Sequence, residues 1–234
     1  MKRAIEELLL GHIRLRMIPV LADNFIYLLD DGKKAVLIDA GEAAPVVKMV
    51  RAESLVLLQV LITHDHADHT AGCRRLQDEL GVLARSPSVI ERTETWLGTS
   101  CEVLATPGHT AVHKSFYFPE LDVVFTGDAL INGGCGRVMV DGSAAMLYAS
   151  LQQIATLPEQ TRLFGGHDYL LDNLDFAQTE GVAEAPIEER RRRYATDPAE
   201  ALFMTLAEER KTNPFLRCDS AEVFAQVRAR KDRF

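Results

Sequence analysis

Hydrophobic and polar positions along this chain change period several times. His12 to Ile18 alternates polar and apolar and reads as a half-buried strand. Phe25 to Leu29 and Ala35 to Ile38 flank Asp30-Asp31-Gly32, which predicts a hairpin. Pro45 to Ala52 reads as a helix with proline in its first turn. Val56 to Ile62 is an apolar run of buried-strand length. Ala71 to Leu80 predicts a helix closed by Gly81. Short strands are expected at Val82–Ala84, Glu102–Ala105, Ser115–Phe118, Val123–Phe125 and Arg162–Phe164, with a helix over Ser143–Thr156. After about residue 170 the strand signals stop. Leu170–Glu180, Ile187–Ala195, Ala199–Lys211 and Ser220–Lys231 read as helices punctuated by Pro186, Pro198 and Pro214. Met1–Leu10 reads as a short helix ahead of the first strand.

The most informative stretch is Thr63-His64-Asp65-His66-Ala67-Asp68-His69, which follows the Val56 run directly. Imidazole and carboxylate are the usual ligands of zinc and of other divalent transition metals. A strand end followed by a short loop can fan such side chains around a point. The H-x-H pair could take one ion, and the D-H pair a second. Three further strands also end in a residue able to bind metal: His109, Asp128 and His167, each preceded by glycine. A site built on loops at one edge of rigid sheets suits chemistry that needs fixed geometry. Alternating strands and helices with antiparallel hairpins fit an α/β sandwich of two mixed sheets with helices outside.

Composition narrows the function classes. The chain has 234 residues with 47 % hydrophobic and 26 % charged, as in an ordinary soluble protein with a sizeable core. Its formal net charge of -8 argues against a nucleic-acid partner, which favours a basic surface. No apolar run approaches ~20 residues, so no membrane span or membrane partner is expected. Leu8-Leu9-Leu10 is too short for a secretory core. The 4 cysteines, Cys73, Cys101, Cys135 and Cys218, are scattered, which suggests reduced thiols and a cytoplasmic location. The run Arg190 to Arg193, preceded by Glu188 and Glu189, reads mainly as a solvated helix face.

These residues also carry a resemblance. The T-H-x-H-x-D-H loop, Gly108-His109-Thr110, Gly127-Asp128 and Gly166-His167 occur in the order used by the metallo-β-lactamase superfamily. Several further segments are similar to glyoxalase II, the hydroxyacylglutathione hydrolases. They are Leu21-Ala22-Asp23-Asn24-Phe25, Gly133-Gly134-Cys135-Gly136-Arg137, Gly166-His167-Asp168-Tyr169 with Asn173 to Ala177, Thr212 to Arg217, and the closing Arg228, Lys231, Asp232 and Phe234. The resemblance implies a metallo-β-lactamase-like αββα sandwich over residues 1–170 and a helical substrate-binding domain over 171–234. It implies two divalent ions, zinc first among the candidates, with iron and manganese as the others. His64, His66 and His109 would hold one ion. Asp68, His69 and His167 would hold the other, and Asp128 would bridge them. His113 would support a ligand from behind or be structural, and Asp65 would not be a ligand.

The implied reaction is hydrolysis of an S-2-hydroxyacylglutathione, such as S-D-lactoylglutathione, by a metal-bridging hydroxide that Asp68 orients. Arg137, Tyr169, Arg228 and Lys231 would bind the glutathione part, in a monomer or weak oligomer. After Arg137 the chain reads Val138-Met139-Val140-Asp141-Gly142-Ser143, without the aromatic residue the family has there. The chemistry is thus fixed more tightly than the thiol carrier. A second reading comes from the persulfide dioxygenases, single-iron enzymes on the same scaffold, whose segments are similar to His66 to His69, Gly127 to Leu130, Gly133 to Arg137 and His167 to Tyr169. The Asn213-Pro214-Phe215 and Lys231-Asp232 tail favours the hydrolase. A nuclease, a β-lactamase or a module that only binds metal fits less of the chain.

Overall fold

The computed structural model describes residues 4–90 and 92–234. The described strands form two mixed sheets, one of six strands and one of five. The chain divides into two compact units: the described part of Met1–Val103 with Phe116–Leu121, and Leu104–Ser115 with Asp122–Phe234.

In the first unit, β1 (Glu6–Leu10), β2 (Ile13–Val20), β3 (Asn24–Asp30) and β4 (Lys34–Ile38) run antiparallel in sequence order. Helix α1 (Ala44–Ala52) then crosses to β5 (Val56–Leu61), parallel to β4. The helical turn α2 (Ala67–Thr70) and helix α3 (Cys73–Leu80) lead to β6 (Ala84–Arg85), parallel to β5. Gly81 closes α3 in the left-handed conformation at φ 73°. The apolar face of α1, Val46, Val47 and Val50, packs with Leu28, Leu37, Val60 and Leu76 in one buried cluster. The register aligns Ile38 with Leu61 and Leu61 with Arg85. The residues following β4 and β5 therefore emerge at the same sheet edge. The carboxyl ends of parallel strands are where α/β sheets place ligands.

Met1–Leu10 is not a helix where it is described. Glu6–Leu10 is an edge strand on β2, and residues 1–3 of that expectation lie outside the described residues. A short isolated helix is marginal in water, whereas β2 offers a free edge and its fully buried Arg16 needs carboxylates. Glu7 supplies one at 2.9 Å. A second difference is the hairpin of β7 (Glu94–Trp96) with β8 (Thr99–Ala105). Its two-residue turn is Leu97-Gly98, at φ 54° and 81°. That geometry favours Asn-Gly, so a leucine there hides the turn from the sequence.

In the second unit, residues 104–115 enter β9 (Lys114–Phe118), and β10 (Val123–Gly127) lies parallel to β11 (Arg162–Gly165) across helix α4 (Ala144–Ala155). Ser143 caps α4, accepting from the Met146 N–H at 3.1 Å. Gly127 pairs with Gly165, so Asp128 and His167 follow strands that end at one level. The tail is helical: α5 (Leu170–Thr179), α6 (Glu184–Thr196), α7 (Pro198–Leu202), α8 (Leu206–Thr212) and α9 (Ala221–Lys231). The single helix expected over Ala199–Lys211 is broken. Met204 and Leu206 hydrogen-bond the backbone of Leu163 and Thr161 beside β11, which holds that segment extended. Thr205 and Glu208 then form a capping box that restarts the helix. Arg190 also departs from expectation, since it is buried rather than solvated.

Candidate metal centre

The first half of the site is built on the ends of β4 and β5. His64 and His69 are fully buried, His66 partly so. His64 Nε2 lies 3.0 Å from His66 Nδ1, and the His64 and His69 rings sit 4.1 Å apart. The expected loop is partly helical, because Ala67–Thr70 forms the turn α2. That turn places Asp68 and His69 on consecutive positions, with Asp68 Oδ2 3.6 Å from His69 Nε2. Asn24 donates from Nδ2 to Asp68 Oδ2 at 2.8 Å, which favours the ionised carboxylate. Packing behind the loop is tight. A Cβ at Gly41 would lie 2.0 Å from the Asp68 carbonyl oxygen.

Asp39 organises this half. Its Oδ2 is 2.8 Å from His69 Nδ1. Its carboxylate also accepts from the Thr63 N–H at 2.8 Å and the Thr63 hydroxyl at 2.9 Å. Asp39 is in the left-handed region at φ 60°. With its Nδ1 proton on Asp39, His69 turns the lone pair of Nε2 the other way. Tyr27 is held protonated well above the ordinary phenol range, first by burial and then by the Asp39 charge.

The second half lies at the ends of β10 and β11 and on the loop carrying His109. His109 Nδ1 donates to the Arg137 carbonyl at 2.7 Å. His109 Nε2 lies 3.6 Å from Asp128 Oδ2, and His167 Nε2 lies 3.4 Å from the same oxygen. One carboxylate oxygen thus faces two imidazoles. His113 Nε2 accepts from the Asp128 N–H at 3.2 Å, and its Nδ1 meets the Thr106 hydroxyl at 2.9 Å. Gly108, at φ 138°, lets this loop lie against α4, where a Cβ would be 2.2 Å from the Leu147 nitrogen.

Three sets of donors are grouped closely enough to hold a metal ion, the ligand atoms of each lying within 4.8 Å of one another. They are His64, His66 and His109; His64, His69 and Asp128; and Asp68, His69 and His167. The seven residues expected as ligands all belong to these sets. The donors are imidazole nitrogens and carboxylate oxygens, which suit divalent transition metals. The Nδ1 atoms of His69 and His109 sit on a carboxylate and on a carbonyl, the arrangement that fixes metal-binding histidines through Nε2. The residues present fit such an ion. Asp65 is exposed, with its carboxylate 3.4 Å from the Ser86 hydroxyl, in keeping with a residue that is not a ligand.

Of the residues expected to bind the thiol carrier, Arg137 and Tyr169 are both exposed, the Tyr169 ring stacked 4.8 Å from His167. Lys231 reaches Asp172 and lies over the rings of Phe176 and Phe234. Arg228 is buried. It donates to the Cys135 carbonyl at 2.9 Å, pairs with Asp232 at 3.0 Å and covers the Phe215 ring.

Sequence reasoning missed Asp39 and the role of the Arg137 carbonyl. Asp39-Ala40-Gly41 at a strand end was the available signal for the first. A backbone acceptor leaves no signal in side-chain identity.

Known proteins bear on this arrangement. The Metallo-beta-lactamase superfamily model matches residues 22–101 and 89–167, and that of the Hydroxyacylglutathione hydrolase C-terminus matches residues 168–234. A hydroxyacylglutathione hydrolase of Synechococcus sp. is 36 % identical over 259 residues, covering 95 % of this chain and 100 % of its own. Among solved structures, ETHE1 from Myxococcus xanthus is 27 % identical with a TM-score of 0.64, covering 97 % of this chain and 90 % of that one. A metallo-beta-lactamase from Staphylococcus aureus subsp. aureus COL superposes with a TM-score of 0.68 at 19 % identity, covering 95 % and 73 % of the two chains; it shares the fold. The family matches run through both the histidine-rich part and the helical tail, and the chain belongs to the hydroxyacylglutathione hydrolases of the metallo-β-lactamase superfamily.

Proposed function

We propose that this enzyme hydrolyses S-2-hydroxyacylglutathione thioesters, such as S-D-lactoylglutathione, to glutathione and a 2-hydroxy acid. The observation that carries the proposal is Asp128 Oδ2 within 3.6 Å of His109 Nε2 and 3.4 Å of His167 Nε2, histidines that belong to different donor sets. A carboxylate so placed can serve two ions at once. His64, His66 and His109 would hold one ion, Asp68, His69 and His167 the other, with Asp128 shared; zinc leads the candidates, ahead of iron and manganese. Such ions supply a bound water with its pKa lowered toward ~7 and Lewis acidity at a carbonyl.

The chain's own residues do the rest. Asp68, held at Oδ2 by Asn24, orients the attacking water and takes its proton. Asp39 and the Arg137 carbonyl keep His69 and His109 in the Nδ1–H tautomer. The departing thiolate needs no proton donor, so no further acid is required. A glutathione conjugate carries about one net negative charge while the chain carries -8, so binding needs local cations. Arg137 and Lys231, with Tyr169, form the proposed binding surface for the carrier. Arg228 contributes from beneath the loop that bears Arg137.

The test is thiol release from S-D-lactoylglutathione by the purified enzyme, by the chelator-stripped enzyme and by the stripped enzyme resupplied with zinc. Activity lost on stripping and regained with zinc is expected. Absence of thiol release from the metal-replete enzyme would overturn the proposal.

A further inference from the structure

Arg190 and Glu209 form an ion pair with almost no solvent on either partner. Their side chains are 1 % and 0 % exposed and meet at 2.7 Å. A buried pair of this kind is often no more stabilising than apolar residues of the same volume, because both charges must be desolvated. Its partners therefore matter more than its own attraction.

Those partners lie on the loop that follows Asp128. Arg190 Nη2 donates to Asn132 Oδ1 at 2.5 Å. Glu209 Oε1 accepts from the Gly133 N–H and, at 3.0 Å, from Asn213 Nδ2. The same Asn213 amide donates to the Gly134 carbonyl at 2.9 Å, and Asn173 donates to the Asn132 carbonyl at 2.9 Å. Three consecutive loop residues thus end their polar groups on the helical tail. The far end of the loop touches the donors. Gly136 N–H bonds the Asp128 carbonyl at 2.9 Å, and the Arg137 carbonyl holds His109 Nδ1 at 2.7 Å. There is no slack at this end: a Cβ on Gly136 would lie 2.2 Å from the Asp128 oxygen and 2.9 Å from His109 Nδ1.

We propose that the buried Arg190–Glu209 pair is a positioning device that sets His109 and Asp128 for metal through the loop 132–137. The proposal rests on the reading of His109 and Asp128 as ligands. Histidine partners one step removed from a metal typically change its affinity or activity by about 10- to 100-fold, and the pair acts on one such partner, the Arg137 carbonyl.

The test is the double variant R190M/E209L, which removes both charges and keeps their bulk. Zinc affinity is read by competition with a chromophoric chelator, beside kcat, KM and the melting temperature. Zinc binding should weaken about tenfold or more, and kcat should fall with KM little changed, at a melting temperature near that of the parent. R190M/E209Q, which returns an acceptor to the Gly133 N–H, should recover most of the loss. If R190M/E209L does not fold, N132A carries the test, since it cuts the Arg190 tie to the loop and leaves the ion pair in place; the same loss of zinc affinity is expected. Parental zinc affinity in whichever of these variants folds overturns the proposal, and so does a lowered melting temperature with unchanged zinc affinity. A parent enzyme that binds no zinc would instead remove the function on which the proposal rests.

Discussion

Replacing Asp39 by Asn isolates the device that orients His69. Asparagine tolerates the left-handed backbone that Asp39 adopts at φ 60°, so backbone strain changes little. With its oxygen in the Oδ1 position, the amide can still accept from the Thr63 N–H and hydroxyl, which lie 2.8 and 3.1 Å from that atom. What the amide cannot do is accept from His69 Nδ1, 2.8 Å away, while its oxygen faces Thr63. Its NH2 group then meets a ring N–H, and the imidazole relieves the clash by moving its proton to Nε2. The lone pair leaves the side facing Asp68. Loss of such an orienting partner weakens metal binding by about 10- to 100-fold, or about 1.4 to 2.7 kcal/mol. The upper end applies here, because the tautomer changes as well as the ring's restraint. The assay is zinc competition with a chromophoric chelator on Asp39→Asn and parent, with circular dichroism to verify the fold. A folded variant that binds zinc like the parent would refute the reasoning, since His69 would then need no acceptor at Nδ1.

Gly136→Ala should lower both zinc affinity and melting temperature, because its Cβ would meet the Asp128 carbonyl oxygen at 2.2 Å; overpacking of this kind costs about 1–3 kcal/mol, readable in thermal melts beside metal titration. Thr205→Ala removes the capping box of α8; it should cost about 1 kcal/mol in chemical denaturation while kcat stays at the parental value. Burial pushes the thiols of Cys73 and Cys218 up to about 11 and that of Cys135 to about 12 from the usual 9.0. The raised values mean that the protonated thiols favour the folded state fully below about pH 9, and that this contribution is lost as pH rises through 11 to 12. Melting temperatures should therefore fall over that alkaline range, and less steeply in Cys135→Ala; an equal slope in the variant would count against burial as the cause.

Three of the candidate metal donors were legible in the sequence because each follows an apolar run. His64 follows β5, Asp128 follows β10 and His167 follows β11, and hydrophobic period marks such ends well. The organisers were less legible, because their role comes from the fold. Asp39 becomes a partner of His69 only when β4 and β5 pair in parallel with Ile38 beside Leu61. Arg190 looked like one of four solvated arginines. Its inward turn depends on Glu209, 19 positions later, which periodicity within α6 cannot report. The expected N-terminal helix failed over the described Glu6–Leu10 for a related reason. A short amphipathic stretch takes the structure its neighbour offers, and β2 offered an edge. The break before Thr205 was readable from Thr-x-x-Glu, yet the pairing beside β11 that places it was not.

In the proposed enzyme, seven side chains hold two ions for thioester hydrolysis. The most direct test is a titration of metal-free enzyme with zinc under anaerobic conditions, following bound metal and S-D-lactoylglutathione hydrolysis in the same sample. Activity should reach its plateau at two ions per chain without oxygen. Saturation at one ion with no thiol released, or turnover that appears only when oxygen is admitted, would contradict it.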